Sequence, residues 1–208
     1  MATSETQPLV SSAFDRTQLP NGLRILTSTF RHTNAVSIIF LFGAGSRYET
    51  PELAGASHLF EHMLFKGTPS RPTPKEISEV VEGVGGTLNA FTDREVTGYW
   101  CRVAQPNYRE SIELLSDMTL NSFFKDEDIA KEKQVVYEEI RASNDSPGAR
   151  VSMLLDDLMW PDQPLGRDIA GSVESVGAIT REQMLEYLET QYVGSNMVIA
   201  VAGNIEHA

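Results

Sequence analysis

Two histidines and a glutamate lie close together in the segment Gly55–Thr68, GASHLFEHMLFKGT. His58 and His62 are four residues apart, and Glu61 directly precedes the second histidine. On an α-helix, where each residue turns by about 100°, both imidazoles would share one face and could bind one metal ion, with the Glu61 carboxylate beside it. This H-x-x-E-H pattern is the reverse of the HExxH zinc motif. It predicts a catalytic zinc site in which Glu61 takes a proton from a zinc-bound water.

The pentapeptide alone fits a second interpretation equally well, an amphipathic helix with two surface histidines and a charged neighbour. A catalytic zinc ion held by two histidines needs a third protein ligand, which must come from elsewhere in the chain. A structural zinc site would need a fourth ligand as well, and the other histidines, His32 and His207, lie outside the motif. We therefore do not expect a purely structural zinc.

The segment 127–143, EDIAKEKQVVYEEIRAS, offers the third ligand on a predicted helix. Glu132 and Glu139 fall within about 20° of each other on the helical wheel, whereas Glu138 points about 120° away from Glu132. Three apolar residues share the face of Glu132 and Glu139: Ile129, Val136 and Ile140. Because an unpaired buried carboxylate is costly, such a pair favours a bound cation. The alternative is that both acids are surface neighbours bonded to Lys or Arg.

The whole-chain composition narrows the class of protein. Of 208 residues, 41% are hydrophobic and 22% are charged, as in globular domains. The net charge of −12 argues against a nucleic-acid partner and would favour basic peptides. The only cysteine, Cys101, fits a reducing compartment and a small buried residue on a strand. No run approaches the roughly 20 apolar residues of a membrane span, and the N-terminus resembles no signal peptide, which predicts a cytoplasmic protein.

The first predicted elements belong to a sheet. A hairpin is expected where Thr17–Leu19 and Leu23–Thr27 flank Asn21 and Gly22, a pair that suits a type I′ turn. The run Ala35–Gly43 is apolar on both faces and predicts a central strand covered on both sides. Residues 1–13 are expected to form a flexible tail, and 14–208 a single domain.

The remaining pattern predicts three more strands, at 87–92, 96–103 and 196–202. Helices are predicted at 56–65, from Pro74 to the glycines at 83–86, and at 106–120, 126–142, 149–159 and 180–191. Thr73 with Glu76, and Thr180 with Gln183, have the spacing of capping boxes. Met153 and Met159 are expected to fit the packing of the helix at 149–159. Short links favour antiparallel pairing, so the predicted class is α+β, a mostly antiparallel sheet covered by helices.

Five segments together resemble the pitrilysin/insulinase-type zinc metallopeptidases. The segments are GSRYE, AGASHLFEHMLFKGT, GGTLNAFTDREVTGYW, KEKQVVYEEI and MVIAVAGNIE. The branch that is most similar contains the mitochondrial processing peptidase β-subunit and its bacterial homologues, and the likeness extends from about Leu19 to the end. It implies the LuxS/processing-peptidase-like metallohydrolase fold. In that family a segment of the same length as 63–138 separates the second histidine of the motif from the third zinc ligand. The resemblance therefore implies that Glu139, the next residue, is the third ligand.

The resemblance implies a role for each motif residue. His58, His62 and Glu139 would be the zinc ligands, and Glu61 the base that deprotonates the zinc-bound water and passes the proton to the leaving amine. Glu132 would orient a histidine or the metal site. The implied activity is metalloendopeptidase hydrolysis of peptides or unfolded protein segments.

The resemblance also implies a substrate strand and a partner. Thr87–Thr92 is similar to the edge strand on which family members bind an extended peptide, with Asn89, Ala90 and Phe91 as candidate contacts. A plain amphipathic strand is the alternative. Family members usually carry two such domains, so a second homologous domain or subunit would close the cavity. The competing interpretation of the chain is a non-catalytic relative that acts as a structural or partner subunit.

Overall fold

A six-stranded sheet forms the centre of the fold. The computed structural model describes residues 14–207, so the predicted tail at 1–13 lies outside the described residues. The strands are β1 (Asp15–Gln18), β2 (Arg24–Thr29), β3 (Ala35–Phe42), β4 (Thr87–Thr92), β5 (Thr97–Ala104) and β6 (Met197–Gly203). Their order in the sheet is β1-β2-β6-β3-β5-β4. Only β2 and β6 pair in parallel, which confirms a mostly antiparallel sheet and leaves β4 at one edge.

The hairpin between β1 and β2 forms, but its predicted type I′ turn is wrong. The Gly22 amide donates to the Leu19 carbonyl (2.9 Å), and the Leu19 amide donates to the Leu23 carbonyl (2.8 Å). Gly22 has a φ of 88°, whereas Asn21 does not have a positive φ. Pro20 favours a turn shifted by one residue, Leu19–Gly22, because its ring fixes φ near −65°, which suits the second position of a type I turn. The result is a three-residue loop with glycine in its left-handed position.

Strand β3 is central, as predicted, but only one of its faces is fully covered. Val36, Ile38, Phe40 and Phe42 are each at most 1% exposed and lie against the helices. On the other face Ile39 is only half-buried. The expectation of cover on both faces is therefore wrong for the described residues. We call this second surface the open sheet face; its apolar residues include Leu26, Ile39, Trp100 and Ala200.

Seven α-helices lie within residues 14–207. They are α1 (Ala56–Met63), α2 (Pro74–Glu82), α3 (Tyr108–Asn121), α4 (Asp126–Asp145), α5 (Pro147–Met159), α6 (Val173–Ala178) and α7 (Arg181–Gln191). The capping boxes at the starts of α2 and α7 are confirmed. The sequence analysis missed α6, whose capping box pairs Ser172 with Ser175 where a Glu or Gln is usual. None of these helices has the length and apolar character to cross a bilayer.

The buried residues of the helices and of one sheet face form a continuous core. Cys101 on β5 is fully buried in it, as expected. Met159, by contrast, is 57% exposed, so its predicted packing is wrong. The α+β class is confirmed, and the fold packs α1 against both α4 and β4.

Candidate active site

Helix α1 carries the H-x-x-E-H motif, and a buried carboxylate fixes where it begins. Glu49, 5% exposed, accepts hydrogen bonds from the amides of Gly55 (2.9 Å) and Ser57 (2.6 Å). The Arg167 side chain donates to the Glu49 carbonyl (2.6 Å). Burial raises the pKa of Glu49, and its hydrogen bonds with Ser57 and Gly55 oppose that rise. Because free amides at a helix start favour an acceptor, Glu49 stabilises the first turn of α1.

The apolar face of α1 determines which way the motif points. Leu59, Phe60 and Met63 are 0% exposed. The Phe60 ring lies 4.5 Å from that of Tyr192 and 4.9 Å from that of Phe124, measured between centroids. With this face buried, the histidines project from another face of α1, which packs on α4.

The structure brings His58, His62 and Glu139 together. Glu139 Oε2 lies 3.7 Å from His58 Nε2 and 3.6 Å from His62 Nε2. One ligand atom from each of the three residues lies within 4.8 Å of the others. Ligand atoms at about 2.0–2.2 Å from a tetrahedral zinc ion are roughly 3.4 Å apart, so this donor set fits zinc.

Glu132 contacts the ring nitrogen of His62 that does not face Glu139. Its Oε2 lies 3.1 Å from His62 Nδ1, and its Oε1 lies 2.6 Å from Lys66 Nζ. A His62 ring that donates from Nδ1 to Glu132 presents the lone pair of Nε2 toward Glu139. The Lys pairing expected in the alternative is present for Glu132, but Glu132 is buried and not a surface residue. The ion pairs of Glu139 among residues 14–207 are with the two histidines.

His58 has the properties of a ligand held in its neutral form. Burial, with the adjacent His62 adding to the effect, lowers the pKa of His58 to about 4. Its Nδ1 is buried without a hydrogen-bond partner in the described part of the chain, while Nε2 faces Glu139. A neutral imidazole with an available lone pair is the form that binds a metal ion.

Glu61, on α1, lies beside the last residue of the edge strand β4. The Thr92 hydroxyl, on β4, donates to Glu61 Oε2 at 2.5 Å. Burial raises the pKa of Glu61, and the Thr92 hydrogen bond opposes that rise. A cavity of about 400 Å³ opens beside it. The cavity is lined by His58, Glu61, Phe91, Thr92, Glu139, Ser143, Asp168, Ile169 and Ala170.

Strand β4 has one free edge among the described residues. It pairs with β5 alone, and the Ala90 amide donates to the side chain of Asn89 (2.8 Å) and not to β5. That amide therefore points outward, as every second residue of an edge strand does. Asn89 is exposed, and Phe91 is 38% exposed and lines the cavity. An extended peptide could pair along this edge and reach Glu61.

Three further residues contribute to the site and were not found from the sequence. Glu49 lies in a loop with no periodic pattern, and Thr92 contacts a residue on a separate element, so spacing gave no signal for either. Lys66 lies beyond Met63, where α1 ends, so helical spacing gave no signal for it either.

The chain matches known proteins over most of its length. Residues 24–173 match the family described as Insulinase (Peptidase family M16). An "Uncharacterized zinc protease" of Rickettsia felis is 39% identical over 194 residues, covering 93% of this chain. A "Probable mitochondrial-processing peptidase subunit beta, mitochondrial" of Arabidopsis thaliana is 38% identical over 194 residues, covering 92%. A solved structure of a protease from Helicobacter pylori superposes over 93% of the chain with a TM-score of 0.88 and 25% identity.

These similar proteins are longer than this chain. The chain spans 47% of the Rickettsia protein, 36% of the Arabidopsis protein and 46% of the Helicobacter protein. In each of them, more than half of the polypeptide lies outside the matched part.

Proposed function

This chain belongs to the insulinase-type peptidase family M16, and from that premise we propose that it is a zinc-dependent metalloendopeptidase domain that hydrolyses peptide bonds in extended peptides. The observation that carries the proposal is the convergence of His58, His62 and Glu139 beside Glu61 at the end of an edge strand. A structural role alone would not require a carboxylate beside the three candidate ligands.

The ion would be held by His58, His62 and Glu139. When bound, zinc supplies a Lewis acid for the scissile carbonyl and lowers the pKa of a bound water. Glu132 would fix the ring of His62 through Nδ1, and Lys66 would balance the charge of Glu132. These contacts already orient the ligand atoms, so little rearrangement is needed on binding.

Glu61 would move the proton. Its carboxylate would take a proton from the attacking water, whose oxygen then bonds to the carbonyl carbon, and would deliver the proton to the amine nitrogen as the C–N bond breaks. The raised pKa of Glu61 makes it a better proton acceptor. The Thr92 hydroxyl, which donates to Glu61 Oε2, would hold the carboxylate in place.

The substrate would be an extended peptide or an unfolded protein segment that adds a strand to β4. The outward amide of Ala90 would give a backbone hydrogen bond, and Asn89 and Phe91 would contact side chains. Pairing on β4 would carry the peptide toward Thr92 and Glu61. A second homologous domain or subunit would close the cavity, because this chain spans less than half of each relative described.

Zinc content and affinity test the ligand assignment in this chain alone. We expect one zinc per chain, an affinity about 10–100-fold lower in Glu132→Gln, and a larger loss in Glu139→Gln. Glu138→Gln is the matched control, because Glu138 is on the same helix with its side chain 72% exposed. Wild-type protein that takes up no zinc would refute the proposal and favour a non-catalytic subunit.

Hydrolysis of an unstructured peptide by the zinc-loaded protein, with the second domain present, tests the base. Glu61→Gln should keep zinc and lose about 10²–10⁴-fold in rate. Equal rates for wild type and Glu61→Gln would remove Glu61 from the mechanism.

A further inference from the structure

The imidazole ring of His62 lies between two carboxylates of helix α4. Glu132 Oε2 is 3.1 Å from Nδ1 of the ring, and Glu139 Oε2 is 3.6 Å from Nε2. Each acid faces one ring nitrogen, and either nitrogen of an imidazole can bind a metal ion. His62 by itself therefore does not determine which acid joins the ion and which acid orients the ring. A third group has to make the two sides different.

Lys66 is present on only one of these two sides. Its Nζ lies 2.6 Å from Glu132 Oε1, whereas no Lys or Arg nitrogen of residues 14–207 pairs with Glu139. The side chains of Glu132 and Lys66 are 10% and 25% exposed, and that of Glu139 is 45% exposed. A pair so well covered is costly to break, because one buried charge would lose its partner. Glu132 is thus held by one oxygen, with the other directed at His62.

The turn after α1 fixes the position of Lys66. The Lys66 amide donates to the Met63 carbonyl (3.1 Å), so the chain tightens where the helix ends. Gly67 follows with a φ of 131°, and a Cβ there would lie 2.4 Å from the Pro72 carbonyl oxygen. The Gly67 carbonyl accepts a hydrogen bond from the Phe123 amide (3.1 Å). These backbone contacts set the place from which the Lys66 side chain reaches α4.

We propose that Lys66 is a positioning residue that reserves Glu132 for His62. Glu139 is then left as the carboxylate available to the ion. Lys66 acts through Glu132, whose fixed Oε2 accepts the Nδ1 proton of His62. The ring presents Nε2 to the side where His58 and Glu139 lie. This inference rests on the proposed function in taking zinc as the ion.

The sign of the effect on zinc affinity distinguishes positioning from charge alone. Lys66 carries a positive charge close to a site for a cation, so a purely Coulombic role predicts that its removal strengthens zinc binding. A positioning role predicts the opposite, because Glu132 loses the partner of Oε1 and its contact with His62 is no longer held. Lys66→Met removes the ammonium group and keeps an unbranched aliphatic side chain in its place.

Competition of this chain with a chromophoric chelator measures the zinc affinity. We expect Lys66→Met to bind zinc severalfold more weakly than wild type, with a smaller loss than the about 10–100-fold of Glu132→Gln. Lys66→Arg should bind zinc nearly as wild type does, because a guanidinium also pairs with a carboxylate. Lys131→Met is the matched control, since Lys131 lies on α4 with its side chain 69% exposed, and it should leave the affinity unchanged. An unchanged or higher affinity in Lys66→Met overturns the proposal.

A double variant shows whether Lys66 acts through Glu132. Lys66→Met combined with Glu132→Gln should bind zinc no more weakly than Glu132→Gln alone, because the carboxylate that Lys66 holds is already gone. A loss that adds to that of Glu132→Gln would mean that Lys66 acts by another route, and it refutes the positioning role.

Nitrogen-15 NMR of the imidazoles in zinc-free protein separates this inference from the proposed function. The neutral ring of His62 should carry its proton on Nδ1 in wild type, and Lys66→Met should weaken that preference. A wild-type ring with its proton on Nε2 overturns the proposal without the use of any variant. Wild-type protein that takes up no zinc refutes the peptidase and leaves the positioning role to the NMR result. Protein that binds zinc, with the same His62 tautomer in wild type and Lys66→Met, refutes the positioning role alone.

Discussion

Helices α1 and α5 are both amphipathic, and they put their apolar faces to opposite uses. Helix α1 buries five residues: Ala56, Ser57, Leu59, Phe60 and Met63. Helix α5 buries none and exposes five apolar side chains, which we call the α5 stripe: Val151, Leu154, Leu155, Leu158 and Met159. The first helix is fixed by the core of this chain, whereas the second is fixed by the ion pair between Asp156 and Arg94.

The difference teaches which parts of the site this chain completes by itself. The ligand atoms of His58 and His62 project from a helix whose opposite face cannot move without opening the core. The wall beside the cavity, formed under α5, lacks that constraint. We therefore expect metal binding to be a property of this chain, and substrate enclosure to depend on a second half.

The largest effect in this comparison should come from Phe60→Ala. Phe60 is 0% exposed, so its truncation should lower the free energy of unfolding by about 3–5 kcal/mol. Leu155→Ala, on the α5 stripe, should change it by no more than about 0.5 kcal/mol. Urea denaturation of this chain measures both values. Similar losses in the free energy of unfolding for the two variants would contradict the difference between the two helices.

A smaller, pH-dependent effect should come from Glu49→Gln at the start of α1. The folded-state pKa of Glu49 is raised, so the folded protein binds more protons than the unfolded chain between the two pKa values. Stability from this group is then highest below its unfolded pKa near 4.5 and falls as pH rises through the folded pKa. The free energy of unfolding of Glu49→Gln should therefore rise relative to that of wild type as pH increases across that interval.

Glu182, at the start of α7, provides a control of opposite sign. Its pKa is lowered by a hydrogen bond from its own backbone amide and by Thr180. Replacing Glu182 with Gln should therefore lose stability relative to wild type as pH rises from acid. Denaturation midpoints from pH 3 to 7 measure both trends, and parallel curves for the two variants would contradict this account.

The smallest effect on stability should come from Leu158→Ser. The side chain is 79% exposed, so the free energy of unfolding of this chain should change by no more than about 0.5 kcal/mol. Binding of an apolar fluorescent dye should nevertheless fall, and fall more than in Leu120→Ser. A loss of stability well above that value would mean that Leu158 is already covered in this chain, against the outward orientation of the α5 stripe.

The sequence predicted the elements of the site better than their contacts. Helical periodicity placed Glu132 and Glu139 on one face and Glu138 on another, as the structure has them, because all three lie on one continuous helix. The contact of Thr92 with Glu61 joins a strand to a helix, and no local spacing encodes it. The roles of these residues stay predictions.

Two errors show where local patterns stop being sufficient. Asn21 and Gly22 suggested a type I′ turn, but Pro20 restricted the backbone one residue earlier. The sequence did not indicate a direction for the apolar face of α5, and Met159, which was expected to fit the helix packing, is exposed. Direction depended on the ion pair between Asp156 and Arg94, which are distant in sequence.

Arg94 connects the edge strand to α5. It lies in the turn that follows β4, directly after Asp93, and its side chain grips α5. A peptide on β4 would lie next to this turn, and any contact of a second half with α5 would act on the same arginine. Any coupling through it is reciprocal: if the partner tightens peptide binding by some factor, the peptide tightens partner binding by the same factor. Substrate would then help to assemble the enclosure in which it is cut.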